Sequence, residues 1–144
     1  MIKLKSKISK FEELKQIDKD AFDKYKYLVS DTNYEILDKN VIYFGFGILL
    51  TNKGIYILVA EKDDDYVTLK PLALFNIIEY SIPDFWVFCS GNCFNSKDIQ
   101  VYKLYTFREW CQDERFYEKL ITGDDKSDML FRKFKKIISN TSIR

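Results

Sequence analysis

The sequence predicts an α+β fold, in which helices flank a central antiparallel sheet. Apolar residues recur every three or four positions near both ends of the chain, which is the period of an amphipathic helix. Between the ends, residues 41–60 are rich in β-branched and aromatic residues, and a glycine-containing turn interrupts them. The chain has 144 residues and no linker rich in Pro, Gly or Ser, so we expect one domain over residues 1–144.

An N-terminal amphipathic helix is predicted after a few loose residues. Ser9 and Glu12 have the spacing of a capping box, in which each side chain accepts a hydrogen bond from the other residue's backbone N–H. Residues 31–33, Asp-Thr-Asn, are expected to end this helix. Its apolar stripe would comprise Phe11, Leu14, Ile17, Ala21 or Phe22, Tyr25 and Leu28.

About five strands are predicted for the central sheet. The strongest signal is a hairpin around residues 51–54, where Gly54 tolerates the positive φ of a tight turn. Residues 72–80 are compatible with a helix or a strand, and we expect a helix. The strands are expected at residues 41–50, 55–60, 66–70, 84–89 and 99–105.

Two C-terminal helices complete the predicted fold. Thr106 and Glu109 have the spacing of a second capping box, and Gly123 is expected to end the helix that follows. Ser127 is expected to begin the last helix, and residues 139–144 are expected to be loose. The apolar positions of the two helices are Phe107, Trp110, Cys111, Tyr117, Leu120 and Ile121, then Leu130, Phe131, Phe134, Ile137 and Ile138.

The composition favours a protein that binds over one that catalyses. The chain has no histidine, so it lacks the commonest general acid or base and a frequent zinc ligand. Aromatic residues make up 17% of the chain and supply large, rigid contact surfaces. Glycine-rich phosphate-binding motifs and the G-x-S-x-G nucleophile motif are missing. A carboxylate pair among the 22 acidic residues leaves acid–base chemistry open, but we expect no enzyme and no cofactor.

Charge and hydropathy limit the expected partners and compartment. The formal net charge is +1, which creates no overall field to attract nucleic acid, so no specific nucleic-acid binding is expected. The longest apolar run, residues 41–50, is too short to cross a bilayer, so no transmembrane segment is expected. No apolar segment of a signal peptide follows Met1, which predicts a cytoplasmic protein with reduced thiols.

Two segments are candidate partner-binding sites. One is an acidic run, whose simplest interpretation is a solvated loop and whose functional interpretation is electrostatic contact with a basic partner. The other is an aromatic strand with one face in the core and the second face either under a helix or against a partner. The residues concerned are Glu61, Asp63, Asp64 and Asp65 in the loop, and Phe85 and Trp86 in the strand.

Two further clusters are interpreted structurally. Cys89, Cys93 and Cys111 are not expected to bind metal, because C-x-x-x-C is not a standard zinc spacing and further ligands are not evident. The basic residues Arg132, Lys133, Lys135 and Lys136 are expected to form the solvated face of the last helix.

The run GILLTNKGIYI at residues 47–57 resembles a hairpin of bacterial pleckstrin-homology-like and GRAM-like domains. The resemblance implies a bent antiparallel sheet closed by a helix over residues 41–121. It also implies the alternative function, a module that binds a peptide or a membrane surface. The turn of this chain carries one base, Lys53, where that family has a basic lipid-binding loop.

As a whole, the chain is similar to the immunity proteins of bacterial toxin systems, which are small, cytosolic, aromatic-rich proteins without enzyme motifs. This resemblance implies a non-catalytic protein that neutralises a cognate toxin domain by covering its active site. Aromatic anchors would form the centre of the interface, and acidic loops would contact a basic rim.

Overall fold

The computed structural model describes residues 2–25, 37–90, 94 and 99–141, and it has the predicted α+β fold. Seven strands form one antiparallel sheet, and none of the described helices is long and apolar enough to cross a membrane. The strands are β1 (Ile2–Ser6), β2 (Tyr43–Thr51), β3 (Gly54–Glu61), β4 (Thr68–Pro71), β5 (Phe75–Tyr80), β6 (Trp86–Ser90) and β7 (Val101–Phe107). The α-helices are α1 (Leu14–Ile17), α2 (Lys19–Tyr25), α3 (Arg108–Cys111), α4 (Phe116–Ile121) and α5 (Asp125–Thr141), with 3₁₀ turns at Phe11–Glu13 and Leu72–Leu74.

The sheet branches at β2. One edge of β2 pairs with β3 along its whole length, and β4 lies beyond β3. The other edge is shared, because residues 43–45 pair with β1 and residues 47–51 pair with β7. Strand β5 lies outside β1, and β6 lies outside β7. The confirmed hairpin between β2 and β3 is therefore the centre of the sheet.

A bulge at Phe46 marks the branch point. The register of β2 against β3 shifts between Gly45 and Gly47, so Phe46 is an extra residue in β2. Its carbonyl oxygen accepts a hydrogen bond from the buried hydroxyl of Thr106 at 2.5 Å. Its ring is fully buried and packs edge-on against Phe131 of α5, with ring centroids 4.8 Å apart. The bulge thus joins β2, β7 and the last helix.

The glycines beside the bulge are required by close packing. A Cβ on Gly47 would lie 3.0 Å from Leu58 Cδ1 and 3.2 Å from Thr106 Cβ. Leu58 Cδ1 is the end of a flexible side chain, but Thr106 Cβ is fixed by its own strand. A Cβ on Gly45 would meet Ile57 Cδ1 at 2.9 Å and Ile2 Cβ at 3.1 Å. Small residues here let β1 and β7 approach the same strand.

We expect Gly47→Ala to destabilise the fold by about 1–2 kcal/mol, because the added methyl group overpacks the branch point. A urea titration monitored by circular dichroism would measure the free energy of unfolding. Ser90→Ala, at an exposed strand position, is the control and should change that free energy by less than about 0.5 kcal/mol. An unchanged or raised stability of Gly47→Ala would contradict the close approach at this site.

The N-terminal prediction of one long helix is wrong. Residues 2–6 are not loose, since they form β1 between β2 and β5 with Ile2, Leu4 and Ser6 buried. The predicted helix is divided into a 3₁₀ turn and two short helices, α1 and α2. The predicted capping box is not formed, because the Ser9 N–H donates to Glu13 Oε2 at 2.9 Å rather than to Glu12 and the Glu13 N–H donates to the Lys10 carbonyl oxygen at 3.1 Å. Leu28 and residues 31–33 lie outside the described residues.

Residues 72–80 form a 3₁₀ turn and strand β5 rather than the expected helix. The reason is tertiary, because β1 offers a strand edge with which residues 75–80 pair. The sheet therefore has seven strands where about five were predicted, the two additional ones being β1 and β5.

The C-terminal region has three helices instead of two. Residues 108–121 are divided into α3 and α4, and Thr106 does not cap a helix because its hydroxyl bonds to Phe46 inside the sheet. Gly123 ends α4 with φ +85°, as predicted. Helix α5 begins at Asp125, before Ser127, and continues through residues 139–141.

Asp124 caps α5 in place of the predicted Ser127. Its Oδ2 accepts hydrogen bonds from the Ser127 hydroxyl at 2.8 Å and from the Ser127 N–H at 3.0 Å. These hydrogen bonds lower the pKa of Asp124 because they stabilise the carboxylate. The acidic pair at residues 124–125 thus lies at the start of the longest of the described helices.

Candidate functional site

The acidic run after β3 is held against α5 by one buried lysine. Lys135 is only 7% exposed, and its Nζ donates to the carbonyl oxygens of Glu61, at 3.1 Å, and of Asp64. The same Nζ lies 3.1 Å from Asp65 Oδ1. One ammonium therefore satisfies three oxygens of a loop that lies about 70 residues earlier in the chain. The loop is fixed in place, unlike the freely solvated turn of the simplest interpretation.

Arg132 adds a second link between the acidic loop and α5. Its Nη1 lies 2.7 Å from Asp65 Oδ2, and its Nε donates to Asp128 Oδ2 at 2.8 Å. The hydrogen bond to Asp128 and the charge of Asp65 raise the pKa of Arg132, so the guanidinium stays ionised. The basic face predicted for the last helix is thereby divided, because Arg132 and Lys135 contact the loop while Lys133 and Lys136 are exposed.

The carboxylates of the predicted site have different surroundings. Asp65 is paired with two bases of α5, whereas Asp63 and Asp64 are exposed. Asp64 Oδ1 accepts the Tyr66 N–H at 3.1 Å, which shapes the loop end. An open cleft of about 240 Å³ lies here between Tyr66 and Ile121, with Asp128 at its wall. The surface is therefore acidic and partly aromatic.

Phe85 and Trp86 occupy different environments. Phe85 is 38% exposed and stacks on Phe134 of α5, with ring centroids 5.4 Å apart. Trp86 is only 5% exposed, and its edge packs against Tyr105. Its buried Nε1 has no hydrogen-bond partner. Burial leaves Trp86 almost no surface for a partner, so of the two candidates only Phe85 is accessible.

Helix α5 places the two predicted segments near each other along one element. Phe134 stacks against Phe85, and the next residue, Lys135, donates hydrogen bonds to the acidic loop. Successive helical residues are about 100° apart around the axis, so the segments lie on neighbouring sides of α5. The sequence did not predict this proximity, because the acidic run follows β3 and Phe85 precedes β6, about 20 residues later in the chain.

Sequence reasoning missed an exposed apolar face of the sheet. Phe88 of β6 is 68% exposed and stacks on Tyr105 of β7, with centroids 4.0 Å apart and planes 7° apart. Directly opposed residues lie on the same side of an antiparallel pair, so Ile48, opposite Tyr105, continues this row. Leu50 and Ile55 form the next row and are 41% and 47% exposed.

We call Phe88, Tyr105, Ile48, Leu50 and Ile55 the apolar sheet face. The opposite side of the same strands carries Leu49, Leu58 and Leu104, which are fully buried. A sequence signal existed, since Phe88 follows Trp86 by two residues and shares its side of the strand. The alternation could not show that Trp86, and Ile57 opposite Ile48, are buried on that side while Phe88 is exposed.

Two titratable groups lie near the acidic end of this sheet. Burial lowers the pKa of Lys70, which stands opposite Ile57. Burial raises the pKa of Tyr43, whose hydroxyl oxygen accepts the Asp38 N–H at 2.8 Å. Both residues line a cleft of about 130 Å³ beside Glu61.

The described residues show no group of three or more side chains able to hold a metal ion. Cys89 and Cys111 are half-buried, and the Cys111 thiol donates to the Val87 carbonyl oxygen at 3.6 Å. Cys93, the third member of the cysteine cluster, lies outside the described residues.

Comparisons of this chain with protein-family models, with curated proteins and with solved structures gave no match. Any statement about function therefore depends on the surfaces described above.

Proposed function

We propose that this protein acts by binding another protein, most concretely as an immunity protein that covers the active site of a bacterial toxin. The observation that carries the proposal is the apolar sheet face. Three of its side chains, Phe88, Leu50 and Ile55, are between 41% and 68% exposed. They lie on β6, β2 and β3 of one sheet, and β7, which carries Tyr105, separates β6 from β2. Neighbouring exposed apolar groups of this kind mark interaction sites in soluble proteins.

A sheet is a suitable support for such a surface. Phe88 and Tyr105 are already stacked, so little side-chain freedom would be lost when a partner covers them. Aromatic residues at the centre of an interface contribute a large share of the binding energy. A rigid aromatic pair with Leu50 and Ile55 to one side of it would therefore form the centre of the contact, as occlusion of an active site requires.

The exposed carboxylates Asp63 and Asp64 would act mainly on the rate of association. They lie at the far end of β3 from Ile55, which is roughly 20 Å away along the strand. Charges at such a distance from the apolar centre attract a basic partner and are screened by salt. Lys135 fixes the loop that carries them, so their position is defined before binding.

The alternative is a module that binds a membrane or peptide surface, as the hairpin resemblance implies. One observation favours it, since Leu50 and Ile55 lie beside the exposed Lys103 and near Lys53 of the turn. Apolar groups with nearby bases suit an anionic membrane surface. Flotation with vesicles containing anionic lipid would test this alternative, and Phe88→Ser should abolish flotation if it holds.

The proposed function can be tested by photocrosslinking in the native host. A photoreactive phenylalanine analogue at position 88 should capture one protein, because the ring lies at the centre of the contact. The same analogue at Met129, which is 72% exposed on α5, is the matched control and should not capture that protein. The captured protein, produced alone, should stop cell growth, and co-production of this chain should restore it.

Variants separate the parts of the proposal. Phe88→Ser should remove the protection, whereas the double variant Asp63→Asn and Asp64→Asn should retain it and slow association at low ionic strength only. A captured protein that does not inhibit growth would exclude the immunity role. Equal capture from positions 88 and 129 would exclude the apolar sheet face as the binding site.

A further inference from the structure

Strand β5 is an exposed edge of the sheet. Among the described residues it pairs only with β1, so no strand occupies its outer side. Residues 76–80 are all exposed, including Ile77 at 50%, Ile78 at 51% and Tyr80 at 61%. An edge strand of this kind offers a row of backbone N–H and C=O groups to another extended strand.

Strand β5 has few of the features that usually prevent another strand from pairing with an exposed edge. The strand contains no proline, lysine or arginine. Its only charged residue, Glu79, is paired with Lys3 of β1 at 3.0 Å. The edge therefore carries no unbalanced charge that would repel an identical edge.

A bulge sets which residues of β5 share a side. Ile77 stands opposite Leu4, and Tyr80 stands opposite Ile2, so both lie on the core side although they are three residues apart. Asn76 and Glu79 stand opposite Lys5 and Lys3, on the solvent side. The extra residue, Ile78, breaks the alternation between the two halves of the strand.

We propose that two copies of this chain associate edge to edge through antiparallel pairing of β5 with β5. The register that keeps each side of the sheet continuous places Ile77 opposite Ile78 of the second copy. It places Phe75 opposite Tyr80 on the core side and Asn76 opposite Glu79 on the solvent side. Two-fold symmetry repeats each of these contacts.

Self-complementarity favours a second copy over a strand of unrelated sequence. In this register apolar side chains meet apolar side chains, and an amide meets a carboxylate. No like charges stand opposite each other. The contact is one short strand, smaller than a standard stable interface, so the dimer forms reversibly and depends on concentration.

Sedimentation velocity over roughly a hundredfold range of protein concentration tests the proposal, because a monomer–dimer equilibrium follows mass action. The whole chain should shift from monomer to dimer as concentration rises. Ile78→Lys should weaken dimerisation by roughly tenfold or more, because it places two like charges at the edge. Met129→Lys, at an exposed position of α5, is the control and should leave the equilibrium unchanged.

A second variant and a second readout protect the test against a folding defect. Tyr80→Lys should weaken the dimer in the same way, and circular dichroism should show both variants folded. The β5 amides should exchange with deuterium more slowly at high protein concentration, whereas those of the exposed strand β6 should not. Phe88→Ser should dimerise normally, since this proposal does not rest on the proposed function.

Three results would overturn the inference. One is a monomer at every concentration. Another is a dimer that both edge variants leave intact. The third is equal weakening of the dimer by Met129→Lys and Ile78→Lys, which would assign the contact to another surface.

Discussion

Trp110→Ala should lower the free energy of unfolding by about 3–5 kcal/mol, the cost of removing a large aromatic side chain from a packed core. Trp110 is fully buried. Its ring lies 4.6 Å from Phe116 and 5.5 Å from Phe107 by centroids, so it joins α3, α4 and the end of β7. A small side chain would leave a cavity between three elements that cannot all move inward. Urea titration of both proteins would measure the difference.

The matched control for this prediction is Phe88→Ala. It also removes an aromatic ring, but one that is 68% exposed, so its cost should stay below about 1 kcal/mol. A loss of less than about 1 kcal/mol for Trp110→Ala would mean that the helices after β7 are not packed as described. Equal losses for both variants would contradict the difference in burial.

Lys135→Met should destabilise the protein by about 2–3 kcal/mol. The change keeps the apolar stem but removes the ammonium, which leaves the carbonyl oxygens of Glu61 and Asp64 without their donor. Removing one partner of a buried pair usually costs about 3–5 kcal/mol. The expected value is lower because Asp65 is 34% exposed on its side chain and keeps Arg132 as a partner.

Lys136→Met is the control, since Lys136 is exposed on the next position of α5 and should cost less than about 0.5 kcal/mol. Asp65→Asn should cost less than Lys135→Met, because the backbone carbonyl oxygens still hold the ammonium. Proteolysis within residues 61–66 should become faster in Lys135→Met, which reports the release of the loop. If Lys135→Met and Lys136→Met were equally stable, the ammonium would not hold the loop.

The two proposed associations use separate surfaces of the protein. The buried side of the central strands is occupied by large apolar residues such as Leu58 and Leu104, and α5 packs Phe131 onto the bulge. The apolar sheet face lies on the other side, and the β5 edge lies beyond β1. A partner could therefore cover the face while a second copy pairs with the edge.

Local sequence was sufficient to predict the elements that depend on local interactions. The hairpin between β2 and β3 was predicted from its turn, and the Thr51 hydroxyl closes that turn by donating to the Gly54 carbonyl oxygen at 2.8 Å. Gly54 has φ +108°, a conformation that glycine adopts without strain. The regular apolar period of α5 and the glycine end of α4 were recognisable for the same reason.

Pairing between strands distant in sequence determined the elements that were predicted wrongly from the sequence. Strand β1 has only five residues, and it exists because β2 and β5 bind its two edges. Residues 75–80 in turn become a strand because β1 is present. The sequence pattern around Thr106 is that of a helix cap, but its hydroxyl donates a hydrogen bond to the carbonyl oxygen of Phe46 in the bulge.

For the candidate surfaces, too, the sequence determined one part and the tertiary structure determined the other. The sequence by itself determined which residues are acidic and aromatic, and it singled out Glu61, Asp63, Asp64, Asp65, Phe85 and Trp86 as candidate sites. Only the tertiary structure decided that Asp65 is neutralised by α5, that Trp86 is buried and that Phe88 is exposed. The physical reason is that burial and ion pairing depend on chain segments far apart in sequence, whereas turns and helical periods depend on residues a few positions away.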